Sequence, residues 1–393
     1  MGRFRRRIAI ALAVLISTHA YVWWRFVAVS RLPTAAFVLA TVAIVVLAPS
    51  MPIASIAMRR MPRARAAPWL WLAYTWFGSL VYLLPAAALT HVASAVFSVA
   101  PRDAAAAGIA AVAATVAYGL VHARRGPFAR HVRVPLSGLP AAAEGYRIVQ
   151  LTDVHIGWTL GRKFAASVVA KVNALAPDLI VLTGDLVDGQ VRELAPDVEP
   201  FRELRARDGV YAVTGNHEYY WNVDAWIAHF GSLGLRFLRN ERVRIRDAFE
   251  LAGVDDITSA LVPGHGEDIA GALAGRDPAL PVVLLAHHPS SIERAAAADV
   301  SLQLSGHTHG GQLLPLGWLS RLFEPHVAGL ARFGATWLYV SQGTGFWGPP
   351  LRVGTSCEIS VIELVRAQGA VPASRPAATA SRARRSARRA PAW

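Results

Sequence analysis

Apolar positions follow two rhythms along this chain. Over residues 8–29, 34–57, 69–99 and 104–122 they form long, nearly unbroken stretches, each able to cross the roughly 30 Å hydrocarbon core of a bilayer as a helix. From about residue 146 the rhythm shortens. YRIVQL, PDLIVLTG, GVYAVTG, FELAGV, PVVLLAH, VSLQLSG, WLYVSQG and CEISVIEL read as strands, each followed by polar turn chemistry. KFAASVVAKVNAL and VDAWIAHFGSLG space their apolar residues as helices do and end at proline or glycine signals. Strands alternating with helices predict a layered α/β fold whose sheets are buried between helices. The pattern thus predicts a transmembrane region of about four helices over 1–122, a basic linker over 123–145, an α/β domain over 146–365 and a disordered arginine-rich tail over 366–393.

Composition agrees with this division. Of 393 residues, 54% are apolar, more than an ordinary soluble chain carries, and the excess sits in the first 122. The opening RFRRR followed by an apolar run resembles a secretion signal, but no small-x-small site leads into a soluble domain, so the run is expected to be a retained first span. Arginines then set the orientation. Twelve (Arg3, Arg5, Arg6, Arg7, Arg59, Arg60, Arg63, Arg65, Arg124, Arg125, Arg130 and Arg133) flank the spans on one side, and three (Arg25, Arg31 and Arg102) on the other. That asymmetry predicts a multi-pass protein of the inner (cytoplasmic) membrane with its large C-terminal domain in the cytoplasm. Splitting the third stretch would reverse the side.

The net charge of +14 suggests a nucleic-acid partner until its location is considered. Much of it lies in the loops just named and in the tail, where six arginines fall between 375 and 389, so no specific nucleic acid is expected. The tail reads either as a solvated segment or as one that binds an anionic leaflet at about 1 kcal/mol per basic residue. The single cysteine, Cys357, excludes an intrachain disulfide and a thiolate metal cluster.

Candidate chemistry gathers at the strand ends. YRIVQLTDVHIG ends in Asp153 and His155, LIVLTGDLVDG in Asp185, VYAVTGNHEYYW in Asn216 and His217, VVLLAHHP in His287 and His288, and LQLSGHTHGG in His307 and His309. Ligands of open α/β sheets collect outside the carboxyl ends of strands, so these five ends can converge. Each block alone also reads as a turn, a helix cap or a polar surface loop. Together they place six of the thirteen histidines at strand ends. Asp, Asn and His without thiolate suit Mn²⁺, Fe²⁺ or Zn²⁺ better than an all-oxygen Ca²⁺ cage, and there are enough ligands for two divalent ions if one carboxylate bridges.

The order D-x-H, G-D, G-N-H-E, A-H-H-P, G-H-T-H-G-G-Q resembles the calcineurin-like metallophosphoesterase superfamily, and within it the bacterial membrane-associated branch. The resemblance spans about 146–365 and includes every block in family order, although Cys357 stands where that branch has proline. It implies two stacked mixed sheets flanked by helices. It further implies that Asp153, His155, Asp185 and His309 hold one metal ion, and that Asp185 bridges to a second completed by Asn216, His287 and His307. The family pattern favours His287 over His288 as the ligand. It gives His217 the role of stabilising the transferring phosphoryl group or protonating the leaving oxygen. The reaction implied is hydrolysis of a phosphoester or pyrophosphate by a metal-bridging hydroxide.

Four spans beside such a site favour a substrate of the bilayer, a membrane lipid or lipid-linked nucleotide. UDP-2,3-diacylglucosamine pyrophosphatase activity is the most specific alternative, and a non-catalytic metal-binding membrane sensor module is the alternative of another class. The aromatics of EYYWN (218–222) and GFWGPP (345–350) read either as an acyl or sugar groove, as core, or as a membrane-facing rim. A small transporter is disfavoured because the spans carry almost no charge apart from His19, Arg25 and His91.

Overall fold

The computed structural model describes residues 2–322, 324 and 326–367. The arginine-rich tail expected from 366 lies outside the described residues from 368 onward.

Five helices form the N-terminal region: α1 (Gly2–Trp23), α2 (Thr34–Leu47), α3 (Ser50–Arg60), α4 (Arg63–Val96) and α5 (Pro101–Arg124). Three segments are long and apolar enough to cross a membrane, namely Arg5–Ala28, Arg63–Val96 and Pro101–Arg124. The second expected stretch is instead a bent pair, α2 and α3, that turns by 40° around Pro49 and counts as a fourth span only if the pair is taken together. Proline favours such a bend because it lacks the amide hydrogen of the turn and its ring crowds the preceding carbonyl. The helices run back and forth: Arg25, at the end of the first, donates to Thr90 and Ser94 of α4 and to the Pro101 carbonyl, placing these positions at one end of the bundle. At the opposite end Arg63 pairs with Asp197 and the Gly157 carbonyl, so the α3–α4 turn and the C-terminal domain lie on the same side.

That domain is built on two six-stranded sheets. Its strands are β1 (Phe128–Leu136), β2 (Tyr146–Leu151), β3 (Leu179–Thr183), β4 (Val210–Val213), β5 (Arg236–Phe237), β6 (Glu241–Ile245), β7 (Phe249–Gly253), β8 (Val282–Leu285), β9 (Leu302–Ser305), β10 (Gly329–Phe333), β11 (Thr336–Val340) and β12 (Glu358–Arg366). One sheet has the order β1-β12-β2-β3-β4-β5 and the other β10-β11-β9-β8-β7-β6. Both are mixed, with β2, β3 and β4 parallel in the first and β7, β8 and β9 parallel in the second.

Strand alternation explains the layering. Ile148, Val181 and Val213 face the second sheet's Leu251, Val283, Leu285 and Leu304, while Val149, Leu151, Ile180 and Leu182 face outward onto helices that include α6 (Arg162–Ala174). The segment expected as a linker, 123–145, differs from that expectation: its residues 128–136 form β1, an edge strand paired along its length with β12. Its Arg130, His131 and Arg133, all exposed, suit an edge that charge protects from pairing with another chain.

The two regions interlock. A Cβ at Gly78 of α4 would stand 2.5 Å from Leu351 Cδ1, and one at Gly119 of α5 would stand 2.9 Å from Val353 Cγ2. Glycine at both positions admits residues 351–353 between the helices, and the Arg352 amide donates to the Gly119 carbonyl at 3.1 Å.

Candidate metal centre

Parallel strands end on the same side, so the loops after β2, β3 and β4 meet those after β8 and β9 where the two sheets adjoin. The structure brings all seven expected ligands and His217 together there. Three groups have donor atoms within 4.8 Å of one another: Asp153, His155 and His309; His155, Asp185 and His217; Asp185, His287 and His307. Asp185 and His155 belong to two groups each. Individual distances are short: His155 Nε2 lies 3.1 Å from His309 Nε2, His287 Nε2 3.3 Å from Asp185 Oδ2, and His309 Nε2 3.4 Å from Asp153 Oδ1. Asn216 joins through its side-chain oxygen, 3.1 Å from His307 Nδ1. His288 belongs to none of these groups, although its ring packs 4.2 Å from that of His307; its Nδ1 accepts from Ser290, capping the turn at Pro289.

The loops are strained in a way that fits ligand binding. Asp153, His155, Asp185, His307 and His309 all adopt positive φ, between 50° and 71°. Such conformations cost non-glycine residues roughly 1–3 kcal/mol each and persist where surrounding structure over-determines them. Glycines make room for the carboxylates: a Cβ at Gly306 would stand 2.2 Å from Asp153 Oδ2, and one at Gly215 would stand 2.3 Å from Asp185 Oδ1.

The residues fit divalent cations by a test of hydrogen bonding. His287 Nδ1 donates to the Thr183 carbonyl at 2.7 Å, which turns Nε2 inward to 3.3 Å from Asp185 Oδ2, where that buried atom makes no hydrogen bond of good geometry. A buried unpaired acceptor is costly unless a ligand satisfies it. Burial pushes the His307 pKa down to about 3, which keeps this imidazole neutral as a ligand must be.

Three further residues complete the site, and the sequence reading did not single them out. Asp188, three positions after Asp185, accepts from Nδ1 of both His155 (3.2 Å) and His217 (2.5 Å), fixing both rings with Nε2 inward. Glu218 collects the backbone N–H groups of Asp185, Leu186 and Gly215 and so holds the Asp185 loop to the Asn216 loop. Arg352, fully buried, donates to the His309 carbonyl at 2.7 Å. Asp188 and Glu218 lay inside quoted motifs; Arg352 reaches the site from far along the chain.

His217 lines a cleft that opens from the centre. Burial works against its charge, but the Asp185 charge and the Asp188 hydrogen bond prevail and raise its pKa to about 9. A protonated ring there can donate to an oxyanion or a leaving oxygen.

Comparison with known proteins agrees with this geometry. Residues 146–311 match the family model "Calcineurin-like phosphoesterase". A "Transmembrane protein with metallophosphoesterase domain" of Danio rerio is 40% identical over 262 residues, covering 64% of this chain and 60% of that protein. An "Uncharacterized metallophosphoesterase" of Helicobacter pylori is 35% identical over 221 residues, covering 56% of this chain and 60% of the relative. One of Aquifex aeolicus is 33% identical over 230 residues, covering 58% of this chain and 87% of the relative. The match thus spans about three fifths of the first two relatives and most of the third. With every metal-site block in place at the strand ends, this chain belongs to the calcineurin-like phosphoesterase family.

Proposed function

We propose that this protein is a membrane-anchored, metal-dependent phosphohydrolase that cleaves a phosphoester or pyrophosphate bond of a membrane lipid or lipid-linked nucleotide at the cytoplasmic face of the inner membrane. The observation that carries the reading is the docking of the seven-ligand centre onto helices long and apolar enough to span a bilayer, through Arg63 and Asp197 and through residues 351–353 against Gly78 and Gly119.

Asp153, His155, Asp185 and His309 would hold one divalent ion, with Asp185, Asn216, His287 and His307 holding a second. Ions at these positions supply Lewis acidity to the phosphoryl oxygens and lower the pKa of an attacking water. The chain's own residues do the rest. His217, anchored through Nδ1 by Asp188, presents Nε2 to the cleft and donates a proton or a hydrogen bond where negative charge develops. Asp188 holds that ring in one orientation, and Glu218 keeps the bridging Asp185 loop in place. The arginine asymmetry and the shared side of the Arg63 turn support cytoplasmic orientation.

The test is hydrolysis by detergent-purified protein with Mn²⁺ of p-nitrophenyl phosphate, bis-p-nitrophenyl phosphate and UDP-2,3-diacylglucosamine. Turnover abolished by Asp185→Asn is expected, and release of UMP from the last would identify the lipid pyrophosphatase. Turnover retained in that variant would overturn the bridging assignment. Two tightly bound ions per chain with no turnover of any ester would favour the sensor module.

A further inference from the structure

Helices of the N-terminal region wall the cleft beside the metal centre. Two hollows, about 250 Å³ and about 440 Å³, share Met58, Trp158 and Trp221. The smaller reaches Asp188 and His217 and is walled also by Tyr74 and Trp347; the larger continues past Ser55 to a charged rim at Arg192 and Glu193. The larger alone falls within the size range of small-molecule sites, and the smaller extends it toward the metal centre. Ser55 and Met58 belong to α3 and Tyr74 to α4, so the membrane region forms one wall and the metal-site loops the other.

Trp158 joins the two. It lies three residues beyond His155 and packs against the cluster of Ala54, Ala57, Leu70 and Ala73 that seals α3 to α4. On its other face α3 carries Ile53 and Ile56, 45% and 56% exposed, continuous with the apolar exteriors of α2 and α4. One short helix thus presents isoleucines outward and Met58 to the cleft. A water-soluble phosphoester gains little from the Met58, Trp158 and Trp221 side of this wall, whereas a lipid gains apolar contact for its chain while its phosphate enters a polar site.

We propose that this cleft takes the apolar chain of a membrane-resident phosphoester, which enters sideways from the bilayer along α3 and lies against Met58, Trp158 and Trp221 with its phosphate beside His217. The inference rests on the lipid reading above and names the residues that select the chain. Met58 suits the role because an unbranched thioether adapts to a flexible ligand, and the tryptophans offer large apolar faces.

The test uses the full chain in nanodiscs with Mn²⁺ and three p-nitrophenyl phosphodiesters that share the scissile aryl bond and differ only in a methyl, octyl or hexadecyl tail. The kcat/KM of the wild type is expected to rise at least tenfold from methyl to hexadecyl, and Met58→Glu to cut the hexadecyl-to-methyl ratio at least tenfold, with Met58→Leu restoring it. A hexadecyl phosphate carrying a terminal diazirine is expected to label residues 51–58 on irradiation. Rates independent of the tail, a ratio unchanged in Met58→Glu, or labelling elsewhere would overturn the cleft. Absence of turnover of all three esters together with labelling on α3 would instead overturn the hydrolase reading and leave the chain-binding cleft standing.

Discussion

The carboxylate of Asp188 accepts a hydrogen bond from Nδ1 of His217 at 2.5 Å, and the same carboxylate meets Nδ1 of His155 at 3.2 Å. One side chain therefore orients both a candidate metal ligand and the candidate acid. Its negative charge also helps keep the His217 ring protonated.

Replacement of Asp188 should separate these effects by pH. Because the folded-state pKa of His217 is raised, to about 9, the protonated ring is present at neutral pH and lost as pH rises through that value. Asp188→Asn removes a charge and a hydrogen bond that raise it, so the alkaline limb of kcat/KM should move toward the ordinary imidazole range near ~6.5. Activity near pH 7 should fall about 10- to 100-fold, as is usual when a partner of a metal-site histidine is removed. The pH–rate profile for bis-p-nitrophenyl phosphate checks this, and an unmoved alkaline limb would remove His217 as the acid.

Cation binding should also be visible as stability. Five candidate ligand residues held at positive φ and a buried His287 Nε2 that makes no hydrogen bond of good geometry destabilise the loops unless a cation satisfies them. An ion that binds the folded state at a thousand times its Kd adds about 4 kcal/mol. Addition of Mn²⁺ after chelation should therefore raise the Tm by several degrees. In His287→Ala the rise should shrink markedly. Tryptophan fluorescence on heating, with metal content measured on the same samples, checks both statements.

The sequence marked the interior of each sheet and left the rims unmarked. YRIVQL and CEISVIEL are β2 and β12, buried strands whose apolar runs need no partner to be recognised. The strands it left unmarked are β1 and β5 in one sheet and β10 and β6 in the other, the four edges. Edge strands are short or charged, as in ERVRI and FARHVRVPL, because an apolar edge would pair with another chain. The same logic separates Asp153 from Arg352. The carboxylate follows directly after an apolar strand, whereas the arginine becomes meaningful only when residues 351–353 enter the groove between α4 and α5 and its guanidinium meets the His309 carbonyl. The break at Pro49 was equally hidden, since hydropathy is blind to a change of helix direction.

That groove couples the membrane helices to the metal site. A side chain at Gly78 would collide with Leu351 Cδ1 at 2.5 Å and Pro349 Cβ at 2.9 Å, next to Arg352. Gly78→Val should push residues 349–351 outward and loosen the Arg352 hold on the His309 backbone. Overpacking typically costs about 1–3 kcal/mol, and if all of it reached the metal-bound state the Mn²⁺ concentration for half-maximal activity would rise about 5- to 150-fold. A titration of activity against Mn²⁺ checks this, although Gly78 touches no ligand. An unchanged titration would mean that the helices serve as anchor alone.

Gly306 offers the sharpest test of the loop geometry. A Cβ there would stand 2.0 Å from Thr152 Oγ1 and 2.2 Å from Asp153 Oδ2. Those two atoms are themselves hydrogen-bonded at 2.7 Å, and the His307 amide donates to both Asp153 oxygens at 3.0 Å. Neither neighbour has room to retreat, because Asp153 is fully buried and Thr152 Oγ1 is also held within 3.1 Å of the Thr183 carbonyl oxygen. Gly306→Ala should therefore displace Asp153 or the His307 loop and reduce Mn²⁺-dependent hydrolysis at least 100-fold. Gly334→Ala provides the contrast: its φ of 57° is also positive, yet a Cβ there meets nothing within 4 Å. That change should cost about 1 kcal/mol of stability through backbone strain alone and leave hydrolysis intact. Equal activity in the two variants would show that the close approach of Gly306 to Asp153 does not set the position of the metal ligands.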